Sequence, residues 1–202
     1  MPSFDKGRVK RVTQYYPYDS HHGMIGAAGV SVGAHTGAPV QQEISTLGMV
    51  GLLLDTAGDM VNMLTVVPHD LNVLHPIGVR VVYQTGSATA ADTIEWIVLY
   101  DAITEGTALA VGTTALDTVI GTETVTGVAQ AMEVSSRGVI DGGTLAETVP
   151  GNAVSFFSWN IEMNAFAAGL TEDKIFLGLS VDYVPKRYQG SPSTYNPGLT
   201  DD

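Results

Sequence analysis

Two histidines and a carboxylate fall close together at His69, Asp70 and His75. Imidazole and carboxylate groups bind zinc or a related ion when three of them converge on one point. Nothing in the spacing of these residues enforces convergence, and neither histidine has the neighbouring ligands that a strand-borne metal site would need. The pattern therefore favours a surface loop over a metal centre.

Acidic side chains offer a second kind of ion site, because calcium takes oxygen ligands from acidic loops. Asp55, Asp59 and Asp70 are the candidates, but they lack the spacing of an EF-hand loop. Carboxylates are abundant enough in this chain for close pairs to arise by coincidence. We predict that the protein is not an enzyme and has no catalytic residues, no bound metal and no cofactor.

The chain contains no cysteine, so disulfides, thiolate metal sites and cysteine catalysis are excluded. Its aromatic residues raise the possibility of a carbohydrate platform. Trp96 and Trp159, however, lie in phase with aliphatic neighbours, which predicts that both rings belong to the core.

Period-two alternation is the main structural signal. Residues 156–163 place Phe157, Trp159, Ile161 and Met163 on one face, and residues 93–100 show the same pattern around Trp96. In residues 175–184 the alternation groups Leu177 with Leu179, Val181 and Tyr183. Residues 47–54 and 60–67, separated by a turn-like segment, are predicted to form a hairpin.

About eight such strands, one apolar face on each, predict an all-β fold: an antiparallel two-sheet β-sandwich with a jelly roll as the leading topology. A closed barrel remains open, because alternation does not distinguish one curled sheet from two stacked sheets. We predict an extended N-terminal arm over residues 1–22, a β-sandwich domain over 23–185 and a C-terminal tail over 186–202.

Charge is unevenly distributed along the chain. Six of the nine basic residues lie in residues 6–11 and 186–187, whereas residues 12–185 carry 3 basic and 18 acidic side chains, a formal charge of 3 − 18 = −15. An overall net charge of −12 argues against nucleic acid as a partner. No stretch has the length of a membrane span, and the start lacks a signal-peptide pattern, so synthesis in the cytoplasm is expected.

Basic and aromatic residues near the two ends are suited to contact an acidic neighbour, for example another copy of the chain. The predicted partner-contact residues of the two arms are Lys6, Arg8, Lys10, Arg11, Tyr15, Tyr16, Tyr18, Lys186 and Arg187.

Four segments, residues 67–72, 76–81, 93–100 and 179–187, resemble the small virion structural proteins of tailed bacteriophages, in particular jelly-roll proteins that decorate capsids. The resemblance covers roughly residues 60–187. It implies a β-sandwich, often trimeric, that binds the major capsid protein on the virion surface and adds mechanical stability. It supplies no catalytic residues.

Other functions remain open from the sequence. The alternatives are a glycan-binding sandwich of a phage fibre or tail, a minor head or tail component, and a metal-dependent jelly-roll enzyme.

Overall fold

The structure is a computed structural model of the 202-residue chain and describes residues 11–17, 40–44, 49–86, 92–108, 112–141, 154–168, 170 and 174–186. In chain order the described strands are β1 (Val12–Pro17), β2 (Val40–Ile44), β3 (Met49–Leu53), β4 (Asp59–Val66), β5 (Ile77–Thr85), β6 (Thr93–Thr104), β7 (Thr114–Ala115), β8 (Thr122–Thr124), β9 (Ala131–Val134), β10 (Gly138–Ile140), β11 (Val154–Phe166) and β12 (Lys174–Tyr183). Within these ranges, no helix has the length and apolarity required to cross a membrane.

The first sheet is built around the antiparallel pair β5 and β12. The short strands β9 and β10 follow one another along the free edge of β5. In the same way, β1 and β3 share the other edge of β12, with β1 beside Gly178–Tyr183 and β3 beside Ile175 and Phe176. The hairpin partner β2 then pairs with β3.

The second sheet has β11 at its centre, paired with β4 on one side and β6 on the other. The short strands β7 and β8 divide the remaining edge of β6. All described pairings in both sheets are antiparallel, so the predicted two-sheet sandwich is confirmed and a single closed barrel is not formed.

The connections between the sheets define a jelly roll. From β3 to β6 the chain alternates between the sheets, and it ends with β11 in the second sheet and β12 in the first. The last strand, β12, inserts between β3 and β5, while β11 inserts between β4 and β6. This interleaving of early and late strands is the double Greek key of a jelly roll.

The core lies between the sheets and uses the apolar faces that the alternation predicted. Trp96 and Trp159 are both 0% exposed, which confirms that they are core residues and not a carbohydrate platform. Tyr83 packs on Trp96 with ring centroids 5.2 Å apart, and Phe157 packs on Trp159 at 5.3 Å. Such tilted ring pairs add to the burial of apolar area that stabilises the sandwich.

A β-bulge in β12 changes the predicted face of one residue. The register against β5 shifts between Phe176 and Gly178, so that Phe176, not Leu177, joins Leu179 in the main core. Leu177 instead packs in a smaller cluster with Ile175 and Val82 on the other face of the sheet. An extra residue in one strand reverses the alternation beyond it. Gly178 is the sequence sign of this bulge, because a glycine inside a strand pattern often marks one, but alternation alone does not use it.

Two predictions about which strands pair, or about which residues belong to the sheets, are wrong. β3 and β4 do not form a hairpin, because the turn between them carries the chain from the first sheet to the second. Residues 12–17 of the predicted arm are not outside the sandwich but form β1. Both errors concern long-range pairing, which alternation in one segment does not specify. The possible strand near residues 29–33 lies outside the described residues.

Candidate functional site

The residues first considered for metal binding are placed in structural roles. The side chain of Asp70 accepts a hydrogen bond from the Tyr183 hydroxyl at 3.1 Å, and its carbonyl oxygen accepts one from the Lys186 amide at 2.6 Å. His69 is exposed on the same loop. Among the described residues, no three or more His, Asp or Glu side chains are grouped so that they could hold a metal ion.

The three aspartates considered for calcium do not converge. Asp59 Oδ2 accepts hydrogen bonds from the amides of Asp55 and Thr56 at 3.1 and 3.0 Å, which shapes the turn before β4. Asp70 follows the opposite end of the same eight-residue strand. The length of β4, about 25 Å, therefore separates Asp70 from the other two.

Residues 29–33 contain a sequence motif whose function depends on the fold around it. They read Gly-Val-Ser-Val-Gly and match the Gly-x-Ser-x-Gly pattern of a serine nucleophile elbow, and they lie outside the described residues. In α/β-hydrolases that elbow joins a strand to a helix at the top of the sheet. The described strands form two antiparallel sheets, a different fold from the α/β sheet in which that elbow occurs.

The structure assembles the most distinctive polar site where β1 lies on the edge of β12. Six residues pair in register, from Val12 opposite Tyr183 to Pro17 opposite Gly178. Just before the strand, the Arg11 guanidinium forms an ion pair with Asp182 and donates to the Pro76 carbonyl at 2.5 Å. One charged side chain thus ties the start of β1 both to β12 and to the loop that precedes β5.

Asp182 is shared between two arginines. Arg137, just before β10, donates to both carboxylate oxygens at 2.9 Å, while Arg11 approaches from the other side. Burial raises the pKa of Asp182, but the hydrogen bonds and positive charges of Arg137 and Arg11 outweigh burial and hold the pKa below its usual range. The carboxylate is therefore charged at neutral pH and fixes three segments of the first sheet at one point.

Gly78 makes room for this cluster. A Cβ atom at that position would lie 2.0 Å from Asp182 Oδ1 and 2.1 Å from Arg137 Nε. Only a residue without a side chain allows the carboxylate and the guanidinium to meet above β5.

Tyr15 and Tyr16, both predicted contact residues, lie on opposite faces of β1 and bond to different parts of the sandwich. Tyr15 donates to the Leu177 carbonyl at 2.9 Å, and Tyr16 donates to the Val66 carbonyl of the second sheet at 3.3 Å. Burial raises the pKa of both phenols, and for Tyr16, with an added contribution from Tyr183, the pKa reaches about 12. Both hydroxyls therefore stay protonated and able to donate over the physiological pH range.

The C-terminal side of the site lies next to the N-terminal side. Leu71 forms an isolated bridge with Pro185, and Lys186 Nζ approaches the His69 carbonyl at 3.4 Å. Because Val12 pairs with Tyr183, Arg11 and Lys186 lie at the same end of the sandwich. The chain thus enters and leaves the described fold at one end.

The structure brings together only part of the predicted contact set. Arg11, Tyr15, Tyr16 and Lys186 contact their own sandwich in the described chain, whereas the prediction assigned them to a neighbouring subunit. Outside the described residues lie Lys6, Arg8, Lys10, Tyr18 and Arg187. Asp182 and Arg137 were not among the predicted site residues. The signal that could have identified them is the rarity of basic residues in the acidic body, because each of these is expected to pair with a carboxylate.

Comparison with known proteins does not assign a family. No family matches the sequence, and no curated protein matches it. A search of solved structures finds similarity to the K1 cleaved adhesin domain of Lys-gingipain from Porphyromonas gingivalis W83. The two share 10% sequence identity, with 87% of this chain and 98% of that chain covered, at a TM-score of 0.33.

Proposed function

We propose that this protein is a non-enzymatic virion structural component, a capsid decoration protein whose jelly-roll body sits on the major capsid shell of a tailed bacteriophage. The observation that carries the proposal is that the described basic residues closest to the two chain ends lie at one end of a sandwich with an acidic sequence. Arg11 and Lys186 are those residues, and Lys6, Arg8, Lys10 and Arg187 adjoin them in the sequence.

Because the two basic segments adjoin the same end of the sandwich in the sequence, that end is the one suited to bind an acidic surface. Arg11 is already paired with Asp182, so the cations left for a partner at the N-terminal side are the three that precede it. Each exposed contact of this kind is weak and screened by salt. Several copies on a repeating shell, in our proposal as trimers, bind strongly because their contacts act together.

The test measures binding to shells assembled from the major capsid protein of the same genome. We expect the full-length protein to sediment with the shells saturably, and the triple variant Lys6→Gln/Arg8→Gln/Lys10→Gln to bind at least about 10-fold more weakly, because three charge contacts are lost. This variant keeps Arg11 and therefore keeps β1 in place. Glu105→Gln, which removes an exposed charge between β6 and β7, controls for the loss of a charged side chain as such.

Two results would count against the proposal. If the full-length protein does not bind the shells, the decoration function is wrong. If the triple variant binds as tightly as the full-length protein, the function stands but the basic segment is not what anchors the protein.

A further inference from the structure

We propose that β1 is an exchangeable strand: the edge of β12 in one copy of the protein accepts β1 from a second copy. The purpose of this link, joining neighbouring copies on a shell, rests on the proposed function, but the exchange is a property of the protein alone. Its acceptor is the β12 edge at Gly178–Tyr183 together with the Asp182 carboxylate and the Pro76 carbonyl, here called the β1 seat.

The seat recognises a strand through features that do not depend on which copy supplies it. Among the described strands, β1 pairs with β12 alone. The seat offers a backbone ladder and a carboxylate for Arg11, and Tyr16 reaches from β1 across to the second sheet. A strand from another copy would form the same contacts, which is the condition under which domain swapping carries little energetic cost.

Removing β1 from its seat leaves the main core largely intact. Four of its six residues are exposed, and only Val12 and Tyr16 pack, partly buried, against the core cluster. The energy that holds β1 is therefore mainly that of one ion pair and of hydrogen bonds, from the backbone ladder and from the side chains of Arg11, Tyr15 and Tyr16. Contacts of this kind break and form again without unfolding the sandwich.

The chain is long enough to reach another copy. Between Pro17 and Val40 lie 22 residues, nine of them Gly or Ala, and a segment of that length can span up to about 70 Å when extended. The length of the chain therefore does not confine β1 to its own seat. Copies crowded on a surface raise the concentration of neighbouring seats, so exchange competes with the intramolecular arrangement.

The absence of cysteine allows a direct test, because an introduced pair is the only pair in the molecule. Tyr15 and Ser180 face each other across β1 and β12, so Cβ atoms at these positions are within about 5.5 Å. The Tyr15→Cys variant and a size-tagged Ser180→Cys variant are mixed, unfolded and refolded together at high concentration. The refolded mixture is oxidised, and its products are separated on a non-reducing gel. Exchange gives a mixed covalent dimer of unique mobility.

A control separates exchange from chance collision. Val128→Cys replaces Ser180→Cys and presents an equally unique thiol on a residue that is 61% exposed and lies between β8 and β9, outside the seat. We expect at least about 10-fold more mixed dimer from the Tyr15→Cys and Ser180→Cys mixture than from the control mixture. Equal yields would overturn the proposal.

The double variant Tyr15→Cys/Ser180→Cys, oxidised when dilute, supplies the second measurement. We expect an intramolecular disulfide in a monomer at low concentration and a growing share of covalent oligomers after refolding at high concentration. A product that remains monomeric at every concentration would show that β1 never leaves its own chain. Neither negative result touches the shell-binding test, because that test keeps β1 unchanged.

Discussion

At the scale of single residues, Asp182 links more of the molecule than any other side chain of the site. It receives Arg137 through two hydrogen bonds and Arg11 through an ion pair, so one carboxylate connects β1, β12 and the start of β10. Its side chain is 17% exposed. Partial burial strengthens these bonds relative to a surface pair. Leaving either arginine without its acceptor therefore lowers the free energy of unfolding.

We expect Asp182→Asn to lower the free energy of unfolding by about 1–2 kcal/mol at pH 7, measured by urea denaturation. Because the pKa of Asp182 is lowered in the folded state, its contribution is present above the ordinary aspartate pKa of about 3.9 and is lost as the pH falls through the lower folded value. The gap between wild type and variant should therefore persist down to about pH 4 and close only in stronger acid.

Glu105→Gln, an exposed carboxylate outside this cluster, is the matched control and should change stability by less than about 0.5 kcal/mol. An Asp182→Asn variant as stable as this control at pH 7 would show that the two arginines do not depend on the carboxylate.

At the scale of elements, the bulge in β12 determines how β1 is seated. Gly178 has φ of +150°, and a Cβ atom there would lie 2.3 Å from the Tyr16 carbonyl oxygen and 2.9 Å from Pro17 Cα. The bulge therefore both reverses the alternation of β12 and opens the space in which β1 ends.

We expect Gly178→Ala to displace the end of β1 and to destabilise the protein by about 2–3 kcal/mol, because backbone strain and a steric clash act together. Hydrogen exchange of the β1 amides, measured by NMR or mass spectrometry, should become faster than in wild type. Gly106→Ala is the control: its φ is +84°, but nothing lies within 4 Å of the added Cβ, so it reports backbone strain alone. If the β1 amides exchange hydrogen equally slowly in all three proteins, Gly178 does not determine how β1 is positioned on β12.

At the scale of the whole molecule, the jelly roll places the first and last described segments side by side. Val12 pairs with Tyr183, and Leu71 bridges to Pro185, so the N-terminal strand and the C-terminal exit close the same end of the sandwich. The described body therefore includes β1 and Arg11, which the sequence had assigned to an arm outside the sandwich.

Two truncations test where the body ends. Removal of residues 1–10 keeps β1 and should change the free energy of unfolding by less than about 0.5 kcal/mol. Removal of residues 1–17 deletes the strand, its ladder and the Arg11 ion pair, and should lower the free energy of unfolding by about 2–4 kcal/mol. It also leaves part of the β12 edge unpaired, so increased aggregation is expected in light scattering. Equal stability of the two truncated proteins would mean that β1 contributes nothing to the body.

Much of the fold follows from local pattern. The alternation around Trp96 and Trp159 predicts two strands and their buried faces, because period two is a property of each segment by itself. The charge imbalance likewise predicts that the ends of the chain differ from its body. Neither signal depends on which strands pair.

What the sequence by itself determined is therefore the all-β class, the main buried faces and the unequal charge. Only the tertiary structure decided the partners: β1 on β12, β4 in the opposite sheet from β3, and Arg11 on Asp182. The bulge that turns Leu177 away from the main core was decided in the same way. These features join residues as far as 171 positions apart, and each depends on the shape of an edge that exists only after both sheets have formed.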